Sequence, residues 1–90
     1  MKLDAGDLPG ARADLDRAIE AHPRNVRALA GRARGLARSG EPERALADLD
    51  RALAIEPDDP LLRLDRGDVL TETGDVAGAS LEFRTAVGLD

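Results

Sequence analysis

Ala13-Asp14-Leu15-Asp16-Arg17-Ala18 recurs verbatim as Ala47-Asp48-Leu49-Asp50-Arg51-Ala52, 34 residues further on. A second step of 34 lands on Leu81-Glu82-Phe83-Arg84-Thr85-Ala86, which keeps the acid in second place, a large apolar residue in third and the closing alanine. The same offset aligns Gly6 with Gly40 and Gly74, Ala11 with Ala45 and Ala79, and Pro23 with Pro57, all without a gap. One match could arise by chance, but this many at one offset mark an internal repeat.

A period of 34 residues fits a helix–turn–helix unit that buries its apolar face by stacking on its neighbours. Within each unit the local signals agree. Ala45, Leu49 and Ala52 stand at i, i+4 and i+7, so they share one helical face. Gly40 and Gly74 suit the turn between helices, where a left-handed backbone costs glycine little. Asn25 and Asp59 are N-cap residues, Pro60 takes a favoured first helical position, and Pro23 and Pro57 end the preceding helices. The pattern predicts five helices, over 9–21, 26–39, 42–55, 60–73 and 76–89, with short loops and no linker.

This arrangement resembles the tetratricopeptide repeat family. The residues that carry the likeness are Leu29, Ala33, Leu36, Ala45, Leu49, Ala52 and Pro57 in the middle unit, Gly67, Leu70, Ala79, Phe83 and Ala86 in the third, and Ala11, Leu15, Ala18 and Pro23 in the first. The resemblance covers essentially the whole chain. It implies an all-α fold, a right-handed α-solenoid of antiparallel helix–turn–helix repeats. The division is a partial unit at 1–24 that keeps its second helix, a complete unit at 25–58 and a third at 59–90, about 2.5 units in all. It also implies a protein–protein interaction scaffold that binds a peptide or a partner helix in its concave groove. The alternatives are a structural self-association element, or a regulatory fragment of a larger enzyme or of a secretion or assembly protein.

Two departures from the family pattern stand out. Leu29 and Arg63 occupy the register of a large aromatic, and Arg32 and Arg66 occupy that of an apolar residue. Each complete unit also has an acid on its second helix, Asp48 and Glu82. Arg32 with Asp48, and Arg66 with Glu82, are expected to form structural ion pairs, since an arginine fork fits a carboxylate in a partly buried site. Asp14 is the equivalent acid of the first unit and an alternative partner for Arg32 across the repeat boundary. The sequence leaves pairing within or between repeats open.

The first helices supply the candidate binding face. Arg27, Arg34 and Arg38 fall within about 40° of one another on the helix that begins at Val26, and Ala30 lies in the same stripe. That helix carries four arginines and no acid, which points to an acidic peptide or a carboxylate terminus as partner. One repeat on, the same registers hold Leu61, Leu64, Asp68 and Glu72. First helices of neighbouring repeats lie roughly 10 Å apart, so the competing expectation pairs Arg34 with Asp68 and Arg38 with Glu72. Leu61 and Leu64 add an apolar contact for a partner side chain. The carboxylate clamp of chaperone-binding family members is not carried over, because the matching positions are Gly31, Leu61 and Asp65.

Composition narrows the function classes. The chain has 90 residues, 42% of them hydrophobic, yet Phe83 is its one aromatic, so the core must be built from Ala, Leu, Ile and Val. Such side chains bury less area each than aromatics, and a modest stability is expected. A net charge of −5 without a basic cluster argues against nucleic-acid binding. No apolar stretch reaches membrane-spanning length, so a cytoplasmic protein that does not enter the membrane is expected. There is no cysteine, and His22 stands alone beside Pro23 in an inter-repeat turn, so neither a metal site nor a cofactor is expected. Asp58-Asp59-Pro60 is sufficiently explained by helix capping. Ser39 and Ser80 lack a base nearby in sequence, and the glycines are scattered rather than grouped in a phosphate loop, so no enzyme is expected. Leu81, Val87 and Leu89 leave apolar surface on the last helix, which suggests either a truncated array or self-association through open solenoid ends.

Overall fold

A computed structural model of the chain describes residues 8–88. They form α1 (Leu8–Ala21), α2 (Val26–Arg38), α3 (Pro42–Ile55), α4 (Pro60–Thr73) and α5 (Val76–Ala86). The two ends of the expected repeat that fall on Gly6 and Leu89 lie outside the described residues.

The helix boundaries follow from local chemistry. Asn25 caps α2 by accepting a hydrogen bond from the Ala28 amide at 3.0 Å, and Asp59 caps α4 by accepting from the Leu61 amide at 2.9 Å. Both inter-helix turns close in the same way. Glu41 N–H donates to Leu36 C=O at 2.8 Å and Asp75 N–H to Leu70 C=O at 2.9 Å, with Gly40 and Gly74 at φ +80° and +90° between them. This is the glycine-closed C-terminus that satisfies orphan carbonyls. Three ends differ from expectation, the first being the start of α1 at Leu8, one residue early. The second helix stops at Arg38 with Ser39 as its cap. The fifth stops at Ala86 rather than running to 89, because Gly88 takes the left-handed conformation at φ +79°.

The helices pair as hairpins, α2 with α3 and α4 with α5, while α1 packs on α2 and α3 on α4. The first helices α2 and α4 also touch each other, whereas α3 and α5 do not. Helices that approach only on one side of a stack curve it toward that side, so α2 and α4 form the inner layer. The core runs along the stack from Ile19 through Leu29, Leu36 and Leu49 to Leu62 and Val69, with Ala28, Ala33, Ala45 and Ala52 allowing close approach.

One packing pair shows how the repeat tolerates its only ring. Ala33 and Leu49, both buried, occupy the registers that Gly67 and Phe83 take in the next repeat. A Cβ on Gly67 would lie 2.5 Å from Phe83 Cε1. The larger residue on α5 is therefore matched by the smaller one on α4, consistent with an interior that leaves little spare volume.

Candidate functional site: the inner groove and its arginine supports

The positions of the inner helices are set by two arginines at their centres. Arg32 on α2 donates from Nε to Asp48 Oδ2 at 2.7 Å and from Nη2 to Asp48 Oδ1 at 2.9 Å, a two-pronged contact with α3 of the same hairpin. Its remaining nitrogen, Nη1, donates to Asp16 Oδ1 on α1 at 2.9 Å. One repeat on, Arg66 donates from Nη1 to Glu82 Oε2 at 2.7 Å and from Nε to Asp50 Oδ1 at 2.9 Å. Each arginine thus faces an acid 16 positions ahead and another 16 positions behind. The choice between pairing within a repeat and pairing across repeats is resolved as both.

The cross-repeat acid is Asp16, not Asp14, which pairs instead with Arg17 on its own helix at 2.9 Å. Asp16 and Asp50 were present in the duplicated hexapeptide, as its second acid. The repetition of that acid at the same offset was the available signal. Arg63, in the register of the family's aromatic, donates to Glu82 Oε1 at 3.2 Å. A glutamate there reaches two guanidinium groups where Asp48 serves one.

Burial and charge make these contacts unequal. The Asp48 side chain is only 6% exposed, while that of Asp16 is 47% exposed. The hydrogen bond to Asp48 is the main influence that raises the Arg32 guanidinium above its ordinary pKa, against the opposing effect of burial. For Arg66 burial pulls downward most strongly, but the bonds to Asp50 and Glu82 together outweigh it. Both arginines stay charged and anchored, which holds α2 and α4 in register with the outer helices.

The groove lies on the other side of α2 and α4. Its centre is crossed by Arg34, whose Nη2 stands 3.1 Å from Asp65 Oδ2. Arg34 Nε also donates to Asp65 Oδ1 at 3.4 Å, while Asp65 Oδ2 accepts no well-aligned hydrogen bond and contributes through charge. The expected pairing of Arg34 with Asp68 is corrected: Asp65, one position after Leu64, is the partner. Asp68 and Arg38 instead line the depression beyond the bridge, together with Ala33, Ala37, Val69 and Glu72. Neither Arg38 nor Glu72 makes an ion pair among the described residues. The second depression, on the N-terminal side of the bridge, is lined by Val26, Arg27, Ala30, Arg34, Asp59 and Leu61.

Of the residues expected on this face, Arg27, Arg34, Arg38 and Asp68 are exposed, and Leu61 and Leu64 are 63% and 36% exposed. Ala30 is the exception. At 5% exposure it packs in the core and contributes only to the floor of the second depression. The groove is also not basic. Its α2 wall carries arginines, and its α4 wall carries Asp65, Asp68 and Glu72 opposite them. Among the described residues no group of three or more His, Asp or Glu side chains is placed to hold a metal ion, and no helix is long and apolar enough to cross a membrane.

The repeat geometry has a counterpart among known proteins. A family model of the tetratricopeptide repeat matches residues 2–60 and again residues 31–90. The chain belongs to the tetratricopeptide repeat family. The crystal structure of MamA is similar in fold, with a TM-score of 0.82 at 18% sequence identity, over 100% of this chain and 57% of that one. The chain therefore spans little more than half the length of the MamA chain, and at this identity the likeness is one of fold alone. No curated protein matches the sequence. Membership of the tetratricopeptide repeat family makes the chain a protein-interaction scaffold in the general sense.

Proposed function

We propose that this tetratricopeptide array, with 25–58 and 59–90 as its whole units, binds an extended peptide or a partner helix in the groove between α2 and α4. The observation that carries the reading is Leu61, a large apolar side chain left 63% exposed in the depression it shares with Arg27 and Arg34. An apolar residue in a concave, charge-lined surface is suited to anchor a partner side chain. Arg38, at the other end of the groove, supplies a guanidinium for a carboxylate of the same partner.

The bridge between Arg34 and Asp65 separates the two depressions, so the occupant has an apolar side chain near Leu61 and an acid near Arg38, spaced along the inner layer. This is narrower than a generally acidic peptide, because Asp68 and Glu72 repel carboxylates placed on the α4 wall. A peptide-array screen followed by titration of the hits tests it. Leu61→Asp and Arg38→Glu should each abolish or strongly weaken binding. Arg51→Glu, an exposed change on the outer helix α3, should leave it intact. Hits that bind all three variants alike would refute the groove.

A further inference from the structure

The two walls of the inner groove carry opposite charge but neutralise each other at one point only. Among the described residues, Arg34 with Asp65 is the single ion pair between α2 and α4. Beyond that bridge Arg38 stands on the α2 wall and Asp68 and Glu72 on the α4 wall, all three exposed and without an ion-pair partner among the described residues. The helix that carries these acids gains nothing from them. Asp65, Asp68 and Glu72 fall at i, i+3 and i+7, where like charges on one helix face oppose each other. Glu72 also lies in the last turn of α4, at the negative end of the helix dipole, and that turn holds no basic residue. Arg63 and Arg66, on the same helix, are committed to Glu82 and Asp50. Local rules broken without compensation inside the fold are characteristic of a binding surface.

We infer that the occupant of this groove is an extended peptide in which a basic residue stands next to an acidic one. The lysine or arginine enters between Asp68 and Glu72, and its acidic neighbour meets Arg38. This deepens the groove reading above and rests on it. The charge count beyond the bridge, one arginine against two acids, excludes a uniformly acidic partner there. The depression is about 170 Å³, with a floor of Ala33, Ala37, Leu49 and Val69. The apolar stem of a lysine or arginine lies on such a floor while its head reaches the acids. Asp65 Oδ2, which accepts no well-aligned hydrogen bond, faces the same depression and adds an acceptor. That volume takes side chains, whereas a helix about 10–12 Å across would have to ride above the bridge. In an extended chain successive side chains point to opposite sides, so adjacent residues meet opposite walls. Leu61 lies about 10–16 Å along α4 from Asp68 and Glu72, or roughly three to five residues of extended chain. That distance sets the separation between the peptide's apolar anchor and its charged pair.

The test measures binding of capped synthetic peptides to the whole chain by fluorescence anisotropy. Each peptide carries a leucine, a spacer of two to four residues and a charged pair, which is Glu-Lys, Lys-Glu, Glu-Glu or Lys-Lys. The best mixed peptide should bind on the order of fivefold tighter than either uniform one, as fits exposed charges, and the advantage should shrink in about 1 M NaCl. In a chain with Asp68→Lys and Glu72→Lys, its helicity checked by circular dichroism, Glu-Glu should become the preferred pair. Equal affinities for mixed and uniform pairs, or a preference unchanged in that chain, would overturn the inference. If Leu61→Asp still weakens every peptide in that case, the groove itself stands. Binding indifferent to Leu61→Asp, or absent at millimolar concentration, would refute the groove reading and the inference with it.

Discussion

Arg32 holds both carboxylate oxygens of Asp48, at 2.7 and 2.9 Å, while its third nitrogen reaches back to Asp16 in the preceding repeat. One side chain thereby closes a hairpin and fastens it to its neighbour. In a repeat protein, where stability is approximately a sum of unit and interface contributions, such a residue acts on both.

Removing either end of the inner contact should leave a buried charge without its partner. Asp48→Ala and Arg32→Ala are each expected to destabilise by about 3 kcal/mol, and the double variant by clearly less than the sum, with a coupling of roughly 1–3 kcal/mol. Urea denaturation of the four proteins measures this, and additive effects would show that the pair does not act as a unit.

The outer contact should matter far less. Asp16 is half-exposed where Asp48 is buried, so Asp16→Asn is expected to cost no more than about 1 kcal/mol and to lose even that at high salt. Thermal melts of Asp16→Asn and Asp48→Asn with and without about 1 M NaCl distinguish the two, and equal losses would contradict the ranking of the two contacts of Arg32.

Gly67 and Phe83 offer a test of packing in which the sign changes. Gly67→Ala forces a Cβ to within 2.5 Å of the ring, and overpacking of this kind costs about 1–3 kcal/mol, partly offset by alanine's better helix propensity. In a Phe83→Leu background the same change should become stabilising, since it recreates the Ala33 and Leu49 arrangement of the preceding repeat. Gly67→Ala with the same sign in both backgrounds would refute the size match.

Acid should expose the contribution of Glu41 at the α2–α3 turn. The hydrogen bond from Arg44, helped by the charge of Arg12, holds its carboxyl below the ordinary value of 4.5. A depressed carboxylate stabilises the fold above its unfolded pKa, and that contribution is lost as pH falls through the lower folded value. The difference in melting temperature between the wild type and Glu41→Gln should therefore be present near neutral pH and shrink toward zero as pH drops below about 4. A difference that is constant across that range would contradict the assignment.

Most of the fold was legible because its determinants are local and periodic. The offset of 34, the caps Asn25 and Asp59, and the turn glycines Gly40 and Gly74 specify helix ends from residues close in sequence. The last helix was read too long because Val87 and Leu89 continue its apolar pattern, while Gly88 breaks it through backbone conformation. The groove was harder to read. Register predicts which residues share a stripe, but a shift of three positions decides whether Arg34 meets Asp68 or Asp65, and that depends on how far α4 slides along α2. Ala30 lies in the stripe yet is nearly buried, because a stripe about 40° wide does not specify which part of it the neighbouring helix covers. The double duty of Arg32 and Arg66 has its sequence signal in the second acid of the hexapeptide, Asp16 and Asp50, which recurs as faithfully as the first.

The central functional claim is that binding takes place on the inner layer of α2 and α4. Titrating an isotopically labelled chain with an array-selected peptide and following backbone amide shifts by NMR tests it most directly. The proposal predicts shifts concentrated on Arg27, Arg34, Arg38, Leu61 and Asp68, with exposed residues of α3 such as Arg44, Ala47 and Arg51 unmoved. Shifts confined to α3 and α5, with the inner residues silent, would contradict it.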